Sequence, residues 1–174
     1  MTDTKIRNFP RSLPLALSSV ARFAPGYRGY AAKEDRREED KRLRAQVVRC
    51  LREASQDLHR AVRSARFEGT PAGLARMGDL SRRIDALIDD VVHAAGGYPG
   101  FFAPGGVDER RLELLYRADI AVAEAVQGLG AEVEAWIAHP DMDMAGGASF
   151  GGVETALDFS EMAWRARREM LGEE

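Results

Sequence analysis

Three long segments of the chain repeat apolar residues at intervals of three and four positions. The first stripe runs through Leu43, Val47, Leu51, Ala54, Leu58, Ala61 and Ala65. The second runs through Leu74, Met77, Leu80, Ile84, Leu87 and Val91. The third runs through Leu112, Leu115, Asp119, Val122, Val126, Leu129, Val133 and Trp136. Because this spacing lines one face of a helix, and no segment alternates as a strand does, the pattern predicts an all-α protein.

Capping residues set the expected helix boundaries. Thr70-Pro71 is typical of a helix start, and Gly96-Gly97 of a helix end. The first long helix is expected to begin near Ala31, because the charged run at 33–42 mixes both signs at helical spacing. Asp108 caps the third helix, which ends before Pro140. These signals predict an up-down-up antiparallel three-helix bundle over 31–139, with a long first helix.

Three further segments are expected around this bundle. Residues 1–30 form an amphipathic N-terminal segment with a short helix near 14–23, and residues 140–152, "PDMDMAGGASFGG", form a flexible linker. Residues 153–174 hold a C-terminal helix with apolar residues on two faces. One face carries Val153, Leu157 and Trp164, and the other carries Phe159, Met162, Ala166 and Met170. One face is therefore predicted to dock on the bundle while the other, including Phe159, meets a partner.

A short pattern, Gly-Tyr-any-Gly-aromatic, occurs twice, as "GYRGY" at 26–30 and "GYPGF" at 97–101. In an up-down-up bundle the first and third helices begin at the same end, so both motifs are expected there. One aromatic cluster is predicted, which either plugs the bundle end or, with Arg28, forms a contact site of the residue types enriched at binding hot spots. Its predicted members are Tyr27, Tyr30, Tyr98, Phe101 and Phe102.

Asp119 interrupts the third apolar stripe with a carboxylate. A buried carboxylate must be paired or neutral. One interpretation is an ion pair with an arginine of the first long helix, or exposure near the bundle end. The other interpretation is a polar anchor in a ligand pocket beside Tyr116, and the sequence leaves both open.

Charge is unevenly distributed along the chain. Residues 1–69 hold 16 basic and 9 acidic residues, whereas residues 70–174 hold 9 and 19. Such a split allows head-to-tail self-association, contact of the basic end with an anionic surface, or pairing of the two halves inside one fold. Nucleic-acid binding is not expected, because acidic residues interleave every basic patch and phosphate binding requires uncompensated positive charge.

No catalytic or cofactor signature is present in the sequence. The chain lacks a nucleophile elbow, a phosphate-binding loop and a dinucleotide fingerprint. Asp90-x-x-His93 has the spacing of half a carboxylate–histidine site, but a di-iron bundle requires two such motifs. Cys50 is the single cysteine and lies in an apolar stretch. We therefore expect no metal, no cofactor and no enzymatic activity.

The N-terminal segment raises the question of membranes. No apolar run reaches the roughly 18 residues that a spanning helix requires, and the start is a poor secretion signal, so a cytoplasmic location is expected. Residues 1–30 nevertheless carry five basic residues and one acidic residue. An amphipathic helix here would either dock on its own bundle or lie on a membrane surface.

Two stretches resemble a set of small bacterial helical proteins without an assigned activity. They are "PGYRGYAAKEDRREEDKRLR" and "GGYPGFFAPGGVDERRLELLYRADIAV", and the likeness covers most of residues 25–126. The shared features are the Gly-Tyr turn, the charged helix, a second aromatic-glycine loop and a Leu-Tyr-x-x-Asp helix. The resemblance implies a helical fold and no reaction, and it brings no catalytic residues.

The functional expectation is a non-enzymatic helical scaffold or adaptor that acts through protein–protein interaction or self-association. Peripheral membrane binding through residues 1–30 is the alternative. The predicted contact residues lie in the two aromatic-glycine motifs and in the Tyr116–Asp119 pair. Phe159 and Trp164 on the C-terminal helix complete the set.

Overall fold

The computed structural model describes residues 13–30, 36–63, 71–94, 109–138 and 150–172. These residues form five helices and no strand, which confirms the all-α class. The helices are α1 (Leu13–Phe23), α2 (Arg36–Arg63), α3 (Pro71–His93), α4 (Glu109–Ala138) and α5 (Phe150–Leu171). The C-terminal helix therefore begins three residues before its predicted start, and part of the predicted linker belongs to it.

The apolar stripes of α2, α3 and α4 form the core of the molecule. The stripe residues from Leu43 to Leu58 on α2 are buried, as are those from Leu112 to Trp136 on α4, including Asp119. On α3 the stripe is buried from Met77 onward, but Leu74 is exposed. Leu74 lies in the first turn of α3.

The C-terminal helix α5 is a full member of the helical core. It makes its most extensive contacts with α4 and also packs against α3, while α2 packs against both α3 and α4. Val153, Leu157 and Trp164 are buried in the common core. The predicted three-helix arrangement is thus not confirmed, because α5 occupies a fourth position between α3 and α4.

Polar contacts give the helix directions. Arg44 near the start of α2 donates to the carbonyl of Ala94 just after α3, at 2.9 Å, so α2 and α3 are antiparallel. Arg167 near the end of α5 pairs with Asp119 in the first half of α4, so α4 and α5 are antiparallel.

Helices α3 and α5 run parallel and are joined by ion pairs at every second turn. The pairs are Arg76–Glu154, Arg83–Glu161 and Arg168–Asp90, at 2.8, 2.8 and 2.7 Å. Successive members lie seven residues apart on each helix, which keeps them on one face. These pairs are partly exposed, so each contributes at most about 1 kcal/mol, but together they define the register of α5.

Residues 13–30, the described part of the N-terminal segment, dock on the bundle. Helix α1 packs against α4, and Val20, Phe23 and Ala24 are buried. The turn that follows contains Gly26 and Gly29 with φ values of 85° and 80°. Because only glycine adopts these values without strain, both glycines of the first motif are required by the backbone of this turn.

Candidate functional site

The first Gly-Tyr motif turns both of its tyrosines into the protein. Tyr27 and Tyr30 are buried, and their rings meet edge to face with centroids 5.7 Å apart. Tyr116 of α4 adds a third ring, 5.4 Å from that of Tyr30. Among the described residues, the two tyrosines of the motif therefore form an aromatic cluster with Tyr116, near the starts of α2 and α4.

Asp119 lies at the centre of this region and is completely buried. The hydroxyl of Tyr27 donates to its Oδ2 at 2.9 Å, and Nε of Arg167 donates to its Oδ1 at 2.7 Å. The carboxylate is thus paired, but with an arginine of α5 rather than with the expected arginine of the first long helix. Tyr116 and Asp119 are both buried.

Arg167 connects three elements through its planar guanidinium. Besides Asp119, it donates through Nη2 to Oδ1 of Asp40 at 2.7 Å and to the hydroxyl of Tyr30 at 3.3 Å. Asp40 in turn accepts from Nε of Arg44 at 2.9 Å. Rigid, multiply donating geometry of this kind suits arginine and not lysine.

We call the six buried residues that meet here the polar cluster. They are Tyr27, Tyr30, Asp40, Tyr116, Asp119 and Arg167.

Backbone contacts fasten the Gly-Tyr turn to its surroundings. The Tyr30 N–H donates to the hydroxyl of Tyr116 at 2.5 Å. The Arg28 N–H donates to Oε2 of Glu39 at 2.8 Å, and Glu39 is itself buried. Arg42 donates to the carbonyl of Gly26. The turn is therefore held by α2 on one side and α4 on the other.

Burial controls the ionisation of the polar cluster. Desolvation, followed by the neighbouring Asp119 carboxylate, raises the pKa of Tyr27 and of Tyr30 well above that of a free phenol. Desolvation also raises the pKa of Asp119, although Arg167 opposes this effect. For Arg167, burial opposes the charged form, but the Asp119 and Asp40 carboxylates outweigh it and raise the pKa. Both phenols therefore stay protonated and the guanidinium stays charged at neutral pH.

A second feature lies on the outer side of α4 and α5. The α4–α5 groove has a volume of about 950 Å³, and its floor consists mainly of alanine and glycine, including Ala121, Ala125 and Gly128. Phe159 and Met162 of α5 form one wall and are 54% and 58% exposed. The groove thus places two large apolar side chains beside a strip of small ones at the surface.

The groove results from the two-faced pattern of α5. Leu157 and Trp164 enter the core, and Phe159 and Met162 lie on the other side of the helix, as their spacing predicts. Gly152 lies directly beneath the carboxylate of Glu132, where any added Cβ would collide with it. This contact shows that Gly152 of α5 and Glu132 of α4 lie side by side at the end of the groove.

The charged rim of the groove is acidic. Glu124 and Glu132 of α4 line it and are exposed, and neither forms an ion pair within the described part of the chain. Thr155 is the remaining polar residue of the lining. A ligand for this surface must therefore be apolar at its centre and is favoured by positive charge at its edge.

The residues considered for metal binding have other contacts. Asp90 accepts from Nε1 of Trp164 at 3.1 Å and from Arg168 at 2.7 Å. Nδ1 of His93 donates to the carbonyl of Asp89 at 2.8 Å. Among the residues that the structure describes, no group of three or more His, Cys, Asp or Glu side chains is placed to hold a metal ion. Cys50 is half-buried, and burial raises the pKa of its thiol.

The predicted contact residues separate into three groups. Tyr98, Phe101 and Phe102 lie outside the described residues, so their place in the aromatic cluster stays a prediction. Phe159 and Arg28 are exposed. The buried candidates, which offer little surface to a partner in this conformation, are Tyr27, Tyr30, Tyr116, Asp119 and Trp164.

Sequence reasoning missed Arg167 and Asp40. Arg167 follows Leu157 and Trp164 on the buried face of α5, at helical spacing, so the stripe itself contains a signal. A charged residue in such a stripe indicates a buried partner of opposite charge, as for Asp119. Asp40 carries no such signal, because it stands within ten consecutive charged residues.

The chain matches no protein-family model, and no match was found among curated proteins or among solved structures. Of the described helices, none is both long and apolar enough to cross a membrane. The function must therefore be argued from the polar cluster and the groove.

Proposed function

We propose that this protein is a non-enzymatic helical scaffold or adaptor that binds another protein in the α4–α5 groove. The observation that carries the proposal is the exposure of Phe159 and Met162 beside a strip of small residues, on a helix whose other face is fully used in the core. Large apolar side chains that rim a surface groove are typical of protein-binding sites.

The shape and charge of the groove specify its occupant. A groove between two helices fits an amphipathic helix, whose apolar residues at i, i+3, i+4 and i+7 enter between the walls. Glu124 and Glu132 favour arginine or lysine at the edge of that helix. The proposed occupant is therefore a helical surface that is apolar at its centre and carries arginine or lysine at its edge.

The polar cluster supports a structural role for the opposite side of α5. Its ionisable groups are saturated by one another and buried, so they offer no group to a substrate in this conformation. By joining α2, α4 and α5, they fix the wall that carries Phe159. A rigid wall lowers the entropy that is lost on binding.

A photo-crosslinking experiment tests the proposal. A photoreactive amino acid replaces Phe159 in one version of the full chain and the exposed Arg52 of α2 in a matched control. Irradiation in the native cell should give defined protein adducts from position 159 and none of these from position 52. The same adducts from both positions, or none from position 159, would contradict binding in the groove.

Peripheral membrane binding is the second candidate, favoured by the excess of basic residues in 1–30. It requires α1 to leave the bundle, because Val20 and Phe23 are buried against it. Flotation of the full chain with anionic liposomes tests this candidate. A deletion of 1–30 is a poor control, because it would also remove Tyr27 and Tyr30 from the core.

A further inference from the structure

We propose that the α4–α5 groove packs against the same groove of a second copy of this chain. The two copies are related by a two-fold axis that lies in the interface, perpendicular to α4, at the level midway between Glu124 and Ala125. This inference rests on the proposed function, since it uses the same groove, and it identifies the partner. Its basis is that two separate patterns, one of charge and one of shape, select the same axis.

The charge pattern lies along the outer side of α4. Arg117 and Glu132 are both exposed and stand fifteen residues apart, about 22 Å along the helix and about 60° around it. Within the described residues, Arg117 pairs with Glu113 at 2.7 Å, in an exposed pair of small energetic weight. When two α4 helices pack antiparallel about the proposed axis, each Arg117 lies at the level of Glu132 of the other copy.

The same axis matches small residues with small residues. Ala121 and Gly128 exchange positions across it, and both line the groove. Without large side chains between them, the two α4 helices can approach closely at this point. Arg117 and Glu132 then lie at the two ends of a contact whose middle is formed by these small residues, with Glu124 as the one charged residue near the axis.

The shape pattern lies on α5 and follows from the register of α5 on α4. Arg167 meets Asp119, and Gly152 lies beneath Glu132. These two contacts place the level midway between Glu124 and Ala125 opposite the peptide between Ser160 and Glu161. The proposed axis therefore exchanges Phe159 with Met162.

Each exposed phenylalanine is thus brought opposite an exposed methionine of the other copy. Both side chains are more than half exposed in the single chain. Methionine adapts to an aromatic surface and its sulfur makes favourable contacts with ring edges. Because the same rotation brings Phe159 of each copy opposite Met162 of the other, the surface is complementary to itself. A two-fold dimer requires this property.

Glu124 lies next to the axis and therefore faces its own counterpart. Two carboxylates at this position repel each other and weaken the dimer. We expect Glu124→Gln to tighten the dimer, with a dissociation constant about threefold lower or better, since a repulsion of a few tenths of a kcal/mol or more is removed. A looser dimer in this variant would place the axis elsewhere.

A charge-reversal cycle on the full chain tests the pairing. Arg117→Glu and Glu132→Arg each create like-charge contacts, so sedimentation equilibrium should show a dissociation constant raised about tenfold in each variant. The double variant restores opposite charges and should return to within about threefold of the starting value. Circular dichroism and thermal melting verify that each variant is folded. All four residue positions involved are exposed, two in each copy.

Three results would overturn the inference. They are a wild-type chain that stays monomeric throughout the concentration range, single reversals without effect, and a double reversal that is not restored. A monomeric chain that still gives adducts with a different protein from position 159 would reject the second copy and retain the proposed function. Absence of any adduct from position 159 would reject both.

Discussion

The polar cluster and the α4–α5 groove lie on different sides of α5 and differ in almost every physical respect. Arg167 enters the cluster with 1% exposure and ends in charged hydrogen bonds to two carboxylates. Phe159 lies in the groove with 54% exposure and a phenyl ring that meets solvent. The polar residue is buried and the apolar residue is exposed, which reverses the usual distribution.

This reversal separates stability from recognition. A buried charged residue is stabilised by its partners, so its removal should strongly lower the free energy of unfolding. An exposed aromatic residue contributes little to the single chain, so its removal should affect a complex and not the fold. We therefore expect substitutions on the two sides of α5 to act independently, one side on stability and the other on association.

The largest effect is expected for Arg167→Ala. The change leaves Asp119 and Asp40 buried without the guanidinium that joins them, so the free energy of unfolding should fall by about 3–5 kcal/mol. Urea denaturation followed by circular dichroism measures the loss. Arg165→Ala, at an exposed position two residues earlier on α5, is the matched control and should change stability by less than about 0.5 kcal/mol. Similar losses in both variants would show that the cluster has no special role.

Alkaline pH should destabilise the fold through the two buried tyrosines of the polar cluster. In the folded protein the pKa values of Tyr27 and Tyr30 are raised, whereas in the unfolded chain both phenols titrate near pH 10. Their stabilising effect is complete below pH 10. Above it only the unfolded chain releases the protons, so stability should fall by about 1.4 kcal/mol per pH unit for each tyrosine.

Tyrosinate absorbance and circular dichroism distinguish this mechanism from others. At least two of the 4 tyrosines should ionise only as the helical signal is lost. The Tyr27→Phe variant should show a shallower dependence of stability on pH above 10, because one of the two phenols is absent. Ionisation of all tyrosines while the helical signal remains native would contradict the burial of this cluster.

A smaller effect is expected for Tyr27→Phe at neutral pH. The change removes one hydrogen bond to a buried carboxylate and keeps the ring, so the expected loss is about 1.5–3 kcal/mol. Tyr30→Phe removes a hydroxyl that accepts from Arg167 at 3.3 Å and also hydrogen-bonds to Asp119, so a loss in the same range is expected. The same urea titration measures both variants, and a loss below about 0.5 kcal/mol in both would contradict hydrogen bonding of these hydroxyls to buried charged groups.

Sequence periodicity predicts the helices well and their assembly less well. The stripes of α2, α3 and α4 are continuous because each helix buries one face, and that face dominates the pattern. For α5 two apolar faces compete, and periodicity alone does not reveal which face enters the core. Its position depends on Glu154 and Glu161, which pair with arginines of α3 far away in the chain.

The polar cluster was predictable only in part. Asp119 is conspicuous because it interrupts an apolar stripe, and the glycines of "GYRGY" indicate a turn with positive φ. The ion-pair interpretation of Asp119 named an arginine of the first long helix, whereas the partner is on α5, because the predicted bundle had only three members. Once α5 is a fourth member, Arg167 is the arginine that stands at the level of Asp119.

The most direct test of the account is sedimentation equilibrium of Phe159→Ser/Met162→Ser beside the wild-type chain, with urea denaturation of both. We expect the double variant to be monomeric. Its free energy of unfolding should differ from that of the wild-type monomer, measured at concentrations where the complex has dissociated, by less than about 1 kcal/mol. This result would show that the groove serves recognition and not folding. Undiminished association of the double variant, or a loss of stability as large as that of Arg167→Ala, would contradict the central claim.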